Sequence, residues 1–509
     1  MPAYRTAPLP SDRMPPGIPY IIGNEAAERF SYYGMRGILY VFMTEHLLNR
    51  NGQLETMDPD TATTWFHVFM AANYFFPLLG GWISDAYWGK YRTIIALSIV
   101  YCLGHLALAL DVTRLGLLLG LTLIAFGAGG IKPCVSAHVG DQFGQRNKHL
   151  LPKVFSWFYF SINLGAFIAT ILIPKVLDAE SWPDSLAGYS DYAAHVAFGI
   201  PGLLMLIATV VFWMGRNKFV HIPPARQGFI EEAKSPEGKS ALKRLGVLYL
   251  FVMIFWALYD QTGSSWVEQA KHMDRTYQVP IGFLPDSWRA WLTAPDKVDE
   301  AAQPGADEAA PADEAAPVIE PPDVWEVDVL PAQVGAINPV LILLFIPLFT
   351  YVVFPAINRV FPLTPLRKIS IGFFIAALSF CIPAVAQAAI VGGETPDLNW
   401  QIAAFFVITA AEVMVSITCL EFSYTQAPPR LKSLVMSLYL LSVSAGNMLV
   451  AGVNWVLGFF REEQAGEQLA SPGYFWFFAG LMFAAATIFI FVARLYREKT
   501  YIQQESAAE

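Results

Sequence analysis

Four ionisable residues lie in one apolar, aromatic-rich stretch, NEAAERFSYYGMRGILYVF, over residues 24–42: Glu25, Glu28, Arg29 and Arg36. At about 100° per residue they share a helical face with Tyr32, Tyr33 and Tyr40. A charge facing lipid at a helix centre costs about 2.5–3.5 kcal/mol even on the lenient insertion scale, so four would cost roughly 10 kcal/mol. Facing lipid is therefore untenable, and the stripe must look into a bundle interior or a water-filled cavity. Carboxyl groups beside arginines in such a place can exchange a proton, because burial disfavours the carboxylate while a guanidinium favours it. The plainer alternative is a static knot of ion pairs near the membrane surface, with Glu25 at its edge.

Other polar residues interrupt apolar runs further along. His67 lies in WFHVFMAANYFFPLLGG, with Tyr74 on the same helical face. Lys132 sits in FGAGGIKPCVS, where Gly129, Gly130 and Pro133 suggest a helix opened locally beside a cavity. Asn163 is in FYFSINLGAF, Asp260 and Gln261 are in MIFWALYDQTGSSW, and Asn338 begins NPVLILLFIPLF. Glu412 and Glu421 bracket EVMVSITCLE. Lone amides and histidines are usually satisfied core residues, whereas Lys132, Asp260 and Glu421 would be unpaired ions in lipid. Trp256, four residues before Asp260, reads as packing, with a pocket wall as the sharper alternative. The first half thus offers cations (Arg29, Arg36, Lys132) and the second half anions (Asp260, Glu421). A zwitterion laid between them, such as an amino acid or short peptide, would place its carboxylate on the first group and its ammonium on the second.

The elements that must position these groups are membrane helices. Of 509 residues, 55% are apolar and only 15% charged, well below the quarter common in soluble domains. Twelve stretches are long enough to cross a bilayer, near 18–46, 60–84, 93–111, 115–138, 150–177, 191–215, 245–268, 332–357, 367–391, 399–421, 431–459 and 472–497. The N-terminal stretch has neither the apolar core nor the cleavage site of a signal peptide, so the first span is expected to serve as its own insertion signal. With both termini in the cytoplasm, the inner loops hold GKYR, RNKHLLPK, NRVFPLTPLRK and PPRLK, while the outer loops hold scattered bases such as Arg50 and Arg114. That is the positive-inside pattern. Residues 1–215 read as one six-helix bundle, 216–244 as a basic cytoplasmic linker and 245–500 as a second bundle. Residues 296–323, rich in Ala, Pro, Asp and Glu, read as a disordered acidic insert outside the membrane. Cys102, Cys134, Cys381 and Cys419 all lie in apolar spans without C-x-x-C spacing and read as buried small residues, not metal ligands.

Six plus six spans suggest a transporter built of two related bundles around a midplane site. GGWISDAYWGKYR resembles the loop signature of the major facilitator superfamily, here Gly81, Asp85, Gly89, Lys90 and Arg92, with Asp85 expected to help hold one conformation shut. EAAERFSYYGMRGIL resembles the E-x-x-E-R-F-x-Y-Y-G-M-R signature of the proton-dependent oligopeptide transporters; FYFSINLGAF, GGIKPCVSAH, FWALYDQTGSSW and EFSYTQAPPRLKS resemble further signatures of that family in order. The resemblance implies an all-α membrane protein of the major facilitator fold, with twelve helices in two six-helix bundles, importing di- and tripeptides with protons by alternating access. It implies a proton-linked cluster of Glu25, Glu28, Arg29, His67, Asp260 and Glu421, and a peptide carboxylate site at Arg36 and Lys132. Tyr32, Tyr33, Tyr74, Asn163, Trp256 and Asn338 would line the pocket, and Glu421 would take the peptide amino group. Two departures stand out: the linker is too short for the extra helix pair of many bacterial members, and the acidic insert is not part of the pattern.

The same cationic patch could instead carry nitrate, modified amino acids or peptide-like drugs, although Glu421 and the E-x-x-E-R acids favour an ammonium-bearing substrate and a proton. An intramembrane hydrolase would need histidine ligands at close helical spacing, and no H-x-x-x-H occurs. No enzyme activity, metal or cofactor is expected beyond the proton as coupling ion. The expected partners are di- and tripeptides, protons and the bilayer of the plasma (inner) membrane, with no nucleic acid and a monomer as the working unit.

Overall fold

The computed structural model describes residues 4–8, 11–144, 146–179, 182, 184–224, 234–292, 322–428, 431–461 and 471–496. Within them the chain forms twelve long helical segments. The first six are α1 (Ile18–Val41, prolonged by a π turn to His46), α2 (Pro59–Ile83), α3 (Lys90–Leu110), α4 (Arg114–Asp141), α5 (Leu151–Leu177) and α6 (Ala193–Met214). The seventh, α7, runs over Pro236–Tyr259 and resumes at Ser265–Lys271 after a 3-10 turn at Asp260–Gly263. Then follow α8 (Ile337–Leu348, continued by a π turn and Phe354–Val360), α9 (Pro365–Val391), α10 (Asn399–Glu412, continued by a π turn to Thr418–Gln426), α11 (Lys432–Arg461) and α12 (Pro472–Leu495). Eleven of these segments are long and apolar enough to cross a membrane; α1 falls short of that measure and is the helix that carries Glu25, Glu28, Arg29 and Arg36.

Capping and turn chemistry set several helix ends. Asp58 accepts from the Thr61 N–H at 2.9 Å to start α2, and Ser235 accepts from the Gly238 N–H at 2.9 Å to start α7. The second cap moves the start of α7 to Pro236 rather than 245, so a charged first turn is helical and the linker is shorter than its polarity suggests. Gly89 joins α2 to α3 with φ of +75°, a conformation that suits glycine, and Lys90 then pairs with Asp141 at 2.7 Å across the ends of α3 and α4. The side chain of Asp85 and residues 293–321, most of the acidic insert, lie outside the described residues. On either side of that insert, β1 (Thr276–Pro280) and β2 (Val324–Asp328) pair as an antiparallel hairpin, and Arg289 bonds Asp286 at 2.7 Å and Asp323.

Packing separates two apolar clusters. One is built almost wholly from α1–α6, around Met35, Leu39, Phe66, Ile124 and Phe198; the other from α7–α12, around Leu248, Phe255, Phe373, Phe380 and Phe478. Within the first, α1 packs on α5 and α6, and α4 on α2 and α3; within the second, α9 packs on α10 and α12. Helices α2 and α11 pack along the seam between the clusters, as do α5 and α8. We call the end where α1 passes into α2 the far end, and the end where α1 begins and α12 stops the near end.

One expectation is corrected here. Helix α4 runs unbroken from Arg114 to Asp141 through Gly129, Gly130 and Pro133. Its glycines do not open the helix; they let α2 approach. A Cβ on Gly129 would lie 2.6 Å from the Asn73 carbonyl oxygen, and a Cβ on Gly80 would overlap the Gly130 backbone. Gly80→Ala should therefore destabilise the solubilised protein by about 1–3 kcal/mol, read as a lower melting temperature. Gly81→Ala, whose Cβ would meet nothing nearer than 3.9 Å, should leave it unchanged.

Candidate functional site

The charged stripe of α1 faces inward, and its groups divide along the helix axis. Toward the near end, Arg29 Nε donates to Glu25 Oε1 at 2.7 Å, and Glu28 Oε2 lies 2.9 Å from the same nitrogen. That N–H points at Glu25, so both oxygens of Glu28 are buried without a hydrogen-bond donor among the described residues. One guanidinium is thus shared by two carboxylates, and only one of them is hydrogen-bonded through its Nε.

Two turns further on, Arg36 leaves the first bundle. Its Nη2 donates to Asp260 Oδ1 at 3.0 Å, and Asn447 Nδ2 donates to Asp260 Oδ2 at 2.6 Å. Because the Asn447 amide is oriented by that bond, its oxygen is the acceptor for His67 Nδ1 at 2.6 Å. The other ring nitrogen of His67 meets Ser264 Oγ at 2.9 Å. The network joins α1 and α2 to α7 and α11, and Asp260 can reach it because α7 breaks into a 3-10 turn there. Beyond it, Tyr40 donates to Glu268 at 3.1 Å, and Lys271 binds Glu268, Glu45 and Thr44 at 2.9, 2.6 and 2.9 Å. Gln333 donates to the Ile171 carbonyl and Ser444 to the Ala71 carbonyl. These bonds between the bundles run from the midplane to the far end.

Lys132 projects from α4 at the same level. Its ammonium lies 4.4 Å from the centroid of the Tyr32 ring and 4.3 Å from that of Tyr74, buried and with no hydrogen-bond acceptor among the described residues. Tyr32 is held by Asn73, whose amide donates to the Tyr32 hydroxyl at 2.7 Å. Across the seam, Asn338 Nδ2 donates to Glu412 Oε2 at 2.8 Å and to Thr409 at 3.1 Å, while Tyr259 donates to Asn338 Oδ1 at 3.1 Å. Glu412 interacts electrostatically with Asp260 and Arg36, and Lys132 with Glu28, Arg29, Arg36 and Asp260, so these groups share one region. Trp256 stands edge-on to Tyr259 at 5.3 Å with its indole N–H buried and unpartnered among the described residues, a wall of that region. Tyr33 lies edge-on to Tyr32, within the field of Arg29, Arg36 and Glu412.

Two residues expected at the site make no hydrogen bond or ion pair to its other members among the described residues. Asn163 donates to the Tyr159 carbonyl of its own helix, and Tyr159 interacts electrostatically with Tyr33 and Glu412. Glu421 is exposed, whereas Glu412 joins the cluster. The two acids are nine residues apart, half a turn out of phase on a regular helix, and the π turn at Val413–Ile417 lies between them. Asn73, Ser264, Glu268, Lys271 and Asn447 entered the network without being singled out. Of these, only the pair in WVEQAK carried a charge signal; a single asparagine in SAGNMLV gives none.

This geometry can be set beside known proteins. The model of the POT family matches residues 91–236, 227–288 and 323–463. The chain belongs to the POT family. It is 34% identical over 410 residues to peptide transporter family 1 of Drosophila melanogaster, covering 73% of this chain and 47% of that protein. It is 33% identical over 421 residues to solute carrier family 15 member 2 of Homo sapiens, covering 74% of this chain and 49% of that protein. It thus spans about half the length of these curated relatives. Among solved structures, an auto-inhibited POT family peptide transporter superposes with a TM-score of 0.75 at 32% identity, covering 97% of this chain and 99% of the other. The POT family transporter PepTSo does so at 0.74 and 33%, covering 95% and 99%. The fold is therefore the all-helical major facilitator fold of the POT transporters, and the chain is an integral membrane protein.

Removing one partner of a buried pair typically costs 3–5 kcal/mol, because the other charge is left uncompensated. Asp260→Ala strands Arg36 and takes an acceptor from Asn447. It should lower thermal stability and loosen the far end. Spin labels at the exposed positions Asn51 and Glu394 should then report longer distances than in the native chain, and an unchanged distance distribution would contradict the role given to this pair.

Proposed function

We propose that the chain is a proton-coupled symporter that imports di- and tripeptides by alternating access. The carrying observation is the pair of opposite charges on either side of the seam: the Lys132 ammonium without an acceptor in the first bundle, and the Glu412 carboxylate in the second. A peptide laid between them would place its carboxylate on Lys132 and its ammonium on Glu412. Recognition of the two termini leaves side chains loosely read, and each added residue lengthens a peptide by up to about 3.3–3.6 Å, which favours short ones. One relative and one solved neighbour are named as peptide transporters, which supports a peptide cargo.

Coupling follows from how few cations the carboxylates share. Arg29 is divided between Glu25 and Glu28, and Glu28 lacks a hydrogen-bond donor among the described residues, so a proton on Glu28 removes the least satisfied charge of the trio. Arg36 is committed to Asp260 while the bundles are joined beyond the midplane. A peptide carboxylate that draws on Arg36 competes with Asp260, and a proton on Asp260 weakens the same link. Both events favour parting the bundles at the far end. With the near end in the cytoplasm, as the basic loops favour, the bonds seen here close the outer side. The plasma membrane and a working monomer belong to this proposal. Glu412 takes the role that the signature alone gave to Glu421.

Purified full-length protein in liposomes tests this reading. Glu412→Gln should weaken dipeptide binding by roughly 10- to 100-fold, the loss of one hydrogen bond to a charged group. Glu421→Gln should bind like the native chain, and equal losses in both variants would contradict the assignment. Glu28→Gln should abolish gradient-driven dipeptide uptake while leaving peptide exchange intact. Loss of both in that variant would contradict the proton role of Glu28.

A further inference from the structure

A cavity lies at the near end of the first bundle, away from the midplane region. It encloses about 390 Å³ including its mouth, between the N-terminal arm, the end of α4 and the loop after α6. Arg5, Arg13 and Lys218 line it, and no acidic residue does among the described residues. Its walls are fixed by two buried amides. Gln142 donates to the His138 and Val220 carbonyls at 3.0 and 3.4 Å and accepts from the Val220 N–H at 2.9 Å. Asn147 donates to the Arg13 carbonyl at 3.0 Å and accepts from the Gly144 N–H at 2.8 Å. The His221 N–H donates to the Arg5 carbonyl at 2.7 Å, and Tyr4 stacks on the His221 ring at 4.2 Å. The backbone at all three cations is thereby anchored around one space.

Three cations lining one space, with no ion-pair partner among the described residues, repel one another. Lys218 donates to the neutral Tyr20 hydroxyl at 2.7 Å, and among the described residues none of the three cations is recorded in an ion pair with a carboxylate. A phosphate group between them would turn that repulsion into attraction, and the fork of an arginine matches phosphate oxygens in pairs. The surroundings resemble the water–lipid boundary. Trp213 and Met214 are exposed at the end of α6, and the Arg216 guanidinium lies 3.7 Å over the Trp213 ring. Basic pockets at that level of a membrane protein suit anionic headgroups.

We propose that this cavity binds a phosphate-bearing anion, for which its position favours the headgroup of an anionic phospholipid, and that occupancy fastens the N-terminal arm to the first bundle. The inference is independent of what the midplane region carries.

The test uses the full chain and a variant carrying Arg5→Gln, Arg13→Gln and Lys218→Gln. Both are placed in nanodiscs of phosphatidylcholine, with and without phosphatidylglycerol, and in detergent with inorganic phosphate. Phosphatidylglycerol should raise the melting temperature of the native chain but not of the variant, with the two melting alike in phosphatidylcholine. Native mass spectrometry should show phosphatidylglycerol held on the order of a hundredfold less tightly by the variant, at about fivefold per basic residue. A variant-sensitive shift with inorganic phosphate alone supports the site and assigns it to a free phosphate. Equal responses of native chain and variant to both ligands overturn the proposal. Should the triple variant fail to fold, Arg5→Gln and Arg13→Gln singly should each weaken retention about fivefold, and native-like retention in both would overturn it.

Discussion

Arg36 is the cation on which the two halves of this molecule meet. It sits on a helix that also carries Glu25, Glu28 and Arg29, in a medium where a bare charge costs several kcal/mol, so each of these groups must be met by protein, water or cargo. The fold answers for Arg29 locally, through acids on the same helix, and for Arg36 remotely, through Asp260 in the other bundle. The remote answer recruits Asn447 and, through it, His67 and Ser264. A requirement set by one residue of α1 is thereby transmitted to α2, α7 and α11. Such a link is built to be rearranged. A buried ion pair adds little net stability over an apolar contact, yet whatever competes for one partner releases the other.

The distribution of polar contacts gives that link its direction. Arg36–Asp260, Tyr40–Glu268 and Lys271–Glu45 join the bundles from the midplane to the far end, whereas the Glu25–Glu28–Arg29 cluster lies inside the first bundle on the near side. In the proposed symport, protons and peptide would act on different ends of one helix. Each bundle keeps its own apolar core, so parting them at one end exposes polar groups and leaves either core closed. Small residues such as Gly80 and Gly129 hold α2 tightly to α4, which lets the first bundle move as a body.

How much of this the sequence carries depends on the energy at stake at each residue. The α1 stripe is legible because no membrane helix can hide four charges from its neighbours. The twelve spans are legible for the complementary reason, since a bilayer demands long apolar runs. Glu412 and Glu421 look alike by that logic, both acids in an apolar run, and only their phase on α10 separates a cluster member from an exposed residue. The π turn between them disturbs that phase, so the helical count alone could not decide. Asn447 is silent for a different reason: a neutral amide is cheap enough to occur anywhere, and its importance comes from the two titratable groups it touches, Asp260 and His67. Gly129 and Gly130 suggest a loosened helix from sequence, and the neighbouring backbone of α2 shows a close approach instead.

If charge sharing on α1 couples the two cargoes, then either gradient must be able to drive the other, because coupling between two bound species is reciprocal. Liposomes containing the purified chain, loaded with a pH-sensitive dye and held at the same pH on both sides, measure this directly. An inward gradient of dipeptide imposed on them should acidify the lumen in step with peptide entry, and an equal gradient of free amino acid should not. Dipeptide entering while the lumen pH stays constant would contradict the account.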